Sequence, residues 1–222
     1  MFSHLEKALS YDDMTIVPRK ISELKHRSEA NTSIECFNIK LDIPIIAAPM
    51  PDVCNGNMAY NLSNLRALGI IHKFQSIENQ LMELTRFDLP LKDSKNFLDK
   101  IVACAIGITG DYQKRFEKLY DVGCRIFCLD TANGANKQVE EAIKWIREFE
   151  IKNGYNTLSI TKEDELEDKV YLIVGNVATK EGYRYLADLG VDAVRVGIAG
   201  GSVCETKTET GINRMSVLKL SQ

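Results

Sequence analysis

"RIFCLDTANGANKQVEEAIKWIREFE" occupies residues 125–150. An apolar run, Ile126–Leu129, ends on the carboxylate of Asp130, turns through Asn133–Gly134, and passes into a segment of helical period. A short continuous apolar run reads as a strand buried on both faces, and such strands belong to parallel sheets covered by helices. The same strand-to-helix step recurs along the chain. "IPIIAAPM" (43–50) precedes "NMAYNLSNLRALG", "IIHKF" (70–74) precedes "SIENQLMELTRF", and "IVACAIG" (101–107) precedes "DYQKRFEKLYDVG". Further on, "VYLIVGN" (170–176) precedes "TKEGYRYLADLG", and "DAVRVGI" (192–198) leads into "AGGSVCETKTETG".

Polar or glycine-rich residues follow each strand, which fits a TIM-type (β/α)8 barrel with its site on that face. A doubly wound open sheet is the competing architecture. Neither GxGxxG nor GxxxxGK[ST] follows any strand, which counts against dinucleotide and P-loop versions of it. About six βα units are legible, where a complete barrel has eight. Residues 150–169 read as an acidic surface insertion, and only "INRMSVLKLSQ" follows residue 211. The expectation is one incomplete barrel domain over 1–222. A separate C-terminal chain, a truncated product or a new role for the residual fold would each account for the missing strands.

The 222 residues are 45% hydrophobic and 27% charged, with a net charge of −3. That is the composition of a globular domain with a sizeable core and no electrostatic footprint for nucleic acid. No apolar run reaches the roughly 18 residues of a membrane span, and the polar N-terminus is unlike a signal peptide. None of Cys36, Cys54, Cys104, Cys124, Cys128 and Cys204 forms a CxxC pair, so reduced thiols in a cytoplasmic compartment are expected.

Several segments carry chemistry. In "GGSVCET", the glycine backbone and Ser202 offer donors for a phosphate, and a cysteine in such a turn has a lowered pKa. Cys204 is therefore either a nucleophile, with Thr206 placed to relay a proton, or an inert residue in a glycine-rich turn. Asp130 reads equally as an acceptor for ribose hydroxyls and as a turn or capping residue. Lys73 reads as a phosphate contact or a solvated strand-end lysine, and His72 as a catalyst or a hydrogen-bonded neighbour. "LKHRSEA", with Arg27, reads alone as a polar loop, and "GNVAT" as an unspecific backbone site.

Taken together, "LSYDDMTIVPRK", "IPIIAAPM", "IHKFQS", "LDTANG", "GNVAT" and "GGSVCETKTETG" resemble the IMP dehydrogenase/GMP reductase family, in order and over nearly the whole chain. "LKHRSE", "HKFQ" and "DTANG" look like the GMP reductase forms, whereas Pro49 in "AAPM" is closer to the dehydrogenases. The 26-residue connection 75–100 leaves no room for the CBS pair usual in the dehydrogenases.

The resemblance implies NADPH-dependent reductive deamination of GMP to IMP and ammonia. Cys204 would form a thioimidate at C2 of the purine, and Thr206 matches the family's proton-transferring threonine. Ser202 and Gly201 would hold the substrate phosphate, with Met50 near the purine. Asp130, Thr131 and Ala132 match the cofactor-contacting segment, with Lys73 and Ile198 on the same side. Arg27 matches a residue reaching a neighbouring subunit's cofactor, which implies a homotetramer. Ala199, Gly201 and Cys204, with Lys207, match a potassium site. The alternatives are an NAD-dependent IMP dehydrogenase making XMP and a catalytically silent purine-nucleotide-binding or assembly protein. Against the family pattern, Ala199 replaces a glycine, Pro51 an acidic residue and Glu205 a small polar one.

Overall fold

The computed structural model describes residues 23–86, 101–153 and 169–198, together with positions 15, 17, 18, 20 and 21. Six parallel strands form one sheet: β3 (Ile46–Ala47), β4 (Leu68–Ile71), β5 (Val102–Ile106), β6 (Ile126–Asp130), β7 (Tyr171–Val177) and β8 (Ala193–Val196). They are hydrogen-bonded in sequence order, with no reversal. A doubly wound sheet reverses its strand order at a switch point. Monotonic order in a curled sheet is instead that of consecutive units of a (β/α) barrel.

Helices α1 (Gly56–Asn64), α2 (Ile77–Thr85), α3 (Tyr112–Asp121), α4 (Lys137–Lys152) and α5 (Lys180–Asp188) occupy the connections. Four of them start where a side-chain oxygen of Asn55, Ser76, Asn136 or Thr179 accepts a backbone N–H three residues on. These caps fix where each loop after a strand ends.

The strand and helix limits depart from the sequence reading in three places. "IPIIAAPM" pairs only at Ile46–Ala47, because Pro44 and Pro49 lack the N–H that a ladder needs. The first helix stops at Asn64 instead of continuing to Gly69: Arg66 takes a left-handed φ of 52°, and Leu68–Gly69 join β4. As a result β4 ends at Ile71, leaving His72 and Lys73 in the loop beyond it. Finally, the connection read as starting at residue 150 starts later, since α4 runs to Lys152.

Two apolar layers sandwich the sheet. Leu68, Ile70, Ala103, Ala105, Ile126, Cys128, Tyr171 and Ile173 share the concave layer. The alternate residues, including Ile71, Cys104, Ile106, Phe127, Leu129, Leu172 and Val174, face the helices. There Phe116 packs 4.4 Å from the Phe127 ring and 5.2 Å from Phe149, centroid to centroid.

A hairpin that the sequence reading missed, β1 (Ile34–Cys36) and β2 (Ile39–Leu41), precedes the barrel strands. Phe37 and Asn38 both take φ 55° in its two-residue turn, the conformation that matches the twist of paired strands. Phe37, Ile39 and Leu41 join the concave layer, with Phe37 5.7 Å from Tyr171 at the amino end of β7.

At that same end Glu150, 2% exposed, accepts from the Val170 N–H at 2.7 Å and from Arg147 at 2.7 Å. Arg147 also bonds the Val170 and Gly190 carbonyls and Asp192, and Asp192 accepts from the Leu172 N–H. This latch ties α4 to the starts of β7 and β8.

Close approach of α1 to β4 depends on Gly69, where an added Cβ would sit 2.4 Å from Ala59 Cα and 3.1 Å from Cys54 Sγ. The Gly69→Ala protein should therefore lose roughly 1–3 kcal/mol, read as a lower urea midpoint at unchanged slope.

Candidate active site

The carboxyl ends of the strands bring together a cluster of charge. Asp130 closes β6, Lys73 lies two residues past β4, and Arg195 sits within β8. Lys73 Nζ is 3.4 Å from Asp130 Oδ2 and also donates to the Asp130 backbone carbonyl. Arg195 Nη1 donates to Asp130 Oδ1 at 2.7 Å and lies 3.7 Å from Cys128 Sγ. The three side chains are 22%, 18% and 24% exposed for Lys73, Asp130 and Arg195. They are withdrawn enough for pairing to matter, yet still open to a ligand. One carboxylate between two cations leaves a net positive charge at the mouth, suited to an anionic ligand. Each Asp130 oxygen still has acceptor capacity for a hydroxyl.

Gly175 makes this arrangement possible, because a Cβ there would meet Arg195 Cβ and the Arg195 carbonyl oxygen, each at 2.7 Å. Only a residue without a side chain lets β7 and β8 approach this closely beside Arg195.

The loop after β6 is laced to the end of β7. Thr131 and Asn176 exchange backbone bonds with their neighbours: Thr131 N–H to the Gly175 carbonyl at 2.9 Å, and Asn176 N–H to the Thr131 carbonyl at 3.0 Å. The Thr131 hydroxyl also donates to the Gly175 carbonyl, and the Gly134 N–H donates to the Asn176 carbonyl. Asn176 Nδ2 reaches the Gly197 carbonyl at 2.6 Å, connecting this loop to the end of β8. Next to it, Asn133, Val177, Ala178, Thr179, Tyr185 and Ile198 line a cavity of about 430 Å³.

Of the residues singled out from sequence, Lys73 and Asp130 are brought into direct contact. Thr131 is half-buried, with its hydroxyl engaged by Gly175, and Ala132 is exposed beside it. Ile198 is buried at the cavity. Met50 is 52% exposed in the loop after β3, and its carbonyl accepts the N–H groups of Val53 and Cys54. Arg27 lies on an exposed 3-10 turn, Arg27–Glu29. No hydrogen bond among the described residues joins Arg27 to Lys73 or Asp130. Ala199, Gly201, Ser202, Cys204, Thr206 and Lys207 lie outside the described residues, so the catalytic and potassium-site expectations do as well. Among the described residues, no group of three His, Cys, Asp or Glu side chains is placed to hold a metal ion.

His72, read from sequence as a catalyst or a hydrogen-bonded neighbour, is buried against Phe74, and its Nδ1 has no hydrogen-bond partner among the described residues. Arg195 is the member that the sequence reading passed over. Its signal was a guanidinium in the middle of the apolar strand "DAVRVGI", since a charge on a buried strand needs a partner.

The described cysteines behave as apolar packing groups. Burial pushes the thiols of Cys54 and Cys128 up to about 11, with Arg195 only partly offsetting the effect at Cys128. Burial likewise raises Cys104 well above the ordinary thiol value and raises Cys36. Such thiols stay protonated at neutral pH and make poor nucleophiles.

Parallel strands in monotonic order in a curled sheet define a (β/α) half-barrel, with the candidate site's charged side chains gathered at the strands' carboxyl ends. Residues 8–220 match the model of the IMP dehydrogenase / GMP reductase domain, and the chain belongs to this family of oxidoreductases. It is 31% identical to a GMP reductase of Buchnera aphidicola subsp. Schizaphis graminum, over 92% of this chain and 53% of the relative. It is 28% identical to an inosine-5'-monophosphate dehydrogenase of Borreliella burgdorferi, over 93% of this chain and 57% of the relative. A GMP reductase of Mesoplasma florum is 26% identical over 92% of this chain and 56% of its own length. The chain thus spans about half the length of these curated relatives. No helix among the described residues is long and apolar enough to cross a membrane.

Two outcomes follow. Asp130→Asn leaves two cations facing a neutral amide and should destabilise the fold by about 2 kcal/mol, measured by denaturant titration. The raised thiols favour the fold below the unfolded-state value of 9.0, and that contribution fades as pH rises towards about 11. Native protein at pH 7.5 should therefore protect Cys54, Cys104 and Cys128 from a thiol reagent that modifies all of them after unfolding in urea.

Proposed function

We propose that this chain carries the cysteine half-site and cofactor wall of a GMP reductase, which converts GMP to IMP and ammonia with NADPH. Two observations support the reading: the sequence "GGSVCETKTETG", which follows β8 in the chain, and the Lys73–Asp130–Arg195 cluster at the carboxyl ends of the described strands. GMP reductase is the name of both the Buchnera and the Mesoplasma relatives.

Chemically, Cys204 as thiolate adds to C2 of the guanine, and the 2-amino group leaves as ammonia after gaining a proton, giving a thioimidate. NADPH supplies the hydride that reaches C2. The C2–sulfur bond then breaks, returning the electron pair to the thiolate and leaving IMP. Thr206 moves the proton, while Ser202 and the Gly201 backbone hold the substrate phosphate, with Met50 beside the purine. The covalent adduct divides one difficult substitution into two easier steps.

The chemistry of the described residues suits a phosphorylated, ribose-bearing cofactor. Asp130 offers acceptors to ribose hydroxyls, and the residual positive charge of Lys73 and Arg195 favours its phosphates. Thr131, Ala132 and Ile198 would line the same side, and Arg27 would serve the cofactor of a neighbouring subunit in a homotetramer. Potassium, held by the carbonyls of Ala199, Gly201 and Cys204 with Lys207, would order the cysteine loop. The work would be done in the cytoplasm.

A second reading, NAD-dependent oxidation of IMP to XMP, is favoured by Pro49 and by the Borreliella relative's name. The two directions separate in one assay. GMP-dependent loss of NADPH absorbance supports reduction, and IMP-dependent formation of NADH supports oxidation. Cys204→Ala should abolish whichever is seen, by at least about 10³-fold. A 2-halogenated purine nucleotide should add covalently to Cys204, detected by mass spectrometry. Turnover in neither direction together with no Cys204 adduct would leave the catalytically silent nucleotide-binding role.

A further inference from the structure

The cofactor wall depends on Lys73 crossing over β5 to reach Asp130, and Lys73 stands in a loop with no regular structure of its own. That loop is held from outside the barrel by α3. Arg115, 8% exposed, donates from Nη2 to the Gln75 carbonyl at 2.9 Å and from Nη1 to Gln80 Oε1 at 2.8 Å. Gln80, with no exposed surface, in turn donates from its amide nitrogen to the carbonyls of Ile71, at 3.3 Å, and Ala105, at 2.9 Å. Those are the last carbonyl of β4 and the penultimate carbonyl of β5, the strand that Lys73 leaves and the strand that it crosses on the way to β6. The Gln75 side chain donates to the His72 carbonyl and to Glu83, and Glu83 accepts the N–H of Gly56 at the start of α1.

A guanidinium and a carboxamide buried between two helices cost desolvation that a pair of leucines would not. Besides a 3.6 Å contact from Arg115 to Asp111 at the start of its own helix, their donors reach the Gln75 carbonyl and the ends of β4 and β5, which an apolar pair could not grip. We propose that Arg115, acting through Gln80 and the Gln75 carbonyl, is a positioning residue that sets Lys73 against Asp130 for dinucleotide binding. It never touches the ligand itself. The assignment rests on the reading of Lys73 and Asp130 as a cofactor wall, but its structural half, the coupling of Arg115 to Lys73, stands independently of that reading.

Both halves are tested on the full chain. NADPH affinity is titrated by fluorescence for the wild type, Arg115→Met, Lys73→Met and the double variant. The Arg115→Met change should weaken NADPH about tenfold when Lys73 is present and have no further effect once Lys73 is methionine. A purely structural role would lower the melting temperature equally in both backgrounds and weaken NADPH equally in both, which would overturn the assignment. In parallel, the ¹³C resonance of reductively methylated Lys73 should shift in Arg115→Met towards its position in Asp130→Asn. An unmoved resonance in a folded Arg115→Met protein would also overturn it. If the wild type binds no NADPH, the cofactor reading fails, and the resonance alone decides whether Arg115 sets Lys73. Arg115→Lys, which keeps the charge but can grip only one of the two acceptors, replaces Arg115→Met if the latter does not fold.

Discussion

Asp130 is held by two cations that arrive from opposite sides of its strand. Lys73 comes from beyond β4, two strands away, and Arg195 from β8, two strands away on the other side. A carboxylate in this position can be satisfied only if the sheet curls enough to bring alternate strand ends within a side chain's reach. The geometry of the site and the curvature of the sheet are thus one constraint. Gly175 enforces it locally by letting β8 approach at the level of Arg195, and the concave apolar layer enforces it globally. A flat sheet with the same sequence would strand all three charges, at a cost of several kcal/mol in unpaired, partly buried ions.

Much of this fold was legible because buried parallel strands and amphipathic helices are written in different periods. The runs at Val102–Ile106, Ile126–Asp130 and Tyr171–Val177 coincide closely with their strands, and the helix limits follow from caps visible as Ser76, Asn136 and Thr179. What escaped was set by backbone effects that periodicity does not register. The left-handed turn at Arg66 moves the start of β4, and the prolines flanking Ile46–Ala47 shorten β3. The hairpin at 34–41 does alternate, as Ile34-Glu35-Cys36 and Ile39-Lys40-Leu41 around Asn38 in the turn, but each strand is only three residues long, too short a run for periodicity to stand out.

The site was legible as residue types but not as contacts. Lys73 and Asp130 are 57 positions apart, and nothing in either segment names the other. Arg195 was hidden by its surroundings, since it reads as an interruption of a strand until the partner carboxylate is known. Gln80 and Arg115 are polar residues within helical segments, and only the fold reveals that both are buried, Gln80 against carbonyls of β4 and β5 and Arg115 against Gln80 and the Gln75 carbonyl. Sequence reports which chemistries are available; burial decides which of them must be paired, and with what.

The latch of Glu150, Arg147 and Asp192 carries a further implication for how this scaffold can change over time. It fastens the end of α4 to the starts of β7 and β8 with bonds made entirely by residues on the two sides of positions 154–168. The anchors at each side are therefore fixed whatever the chain between them contains. Doubling the length of such a connection costs only about 0.6 kcal/mol in closure entropy. The anchoring bonds themselves lie at the amino ends of β7 and β8, the opposite end of these strands from the charged cluster. This is where the protein can acquire new sequence, and with it new surface, without disturbing the Lys73–Asp130–Arg195 cluster.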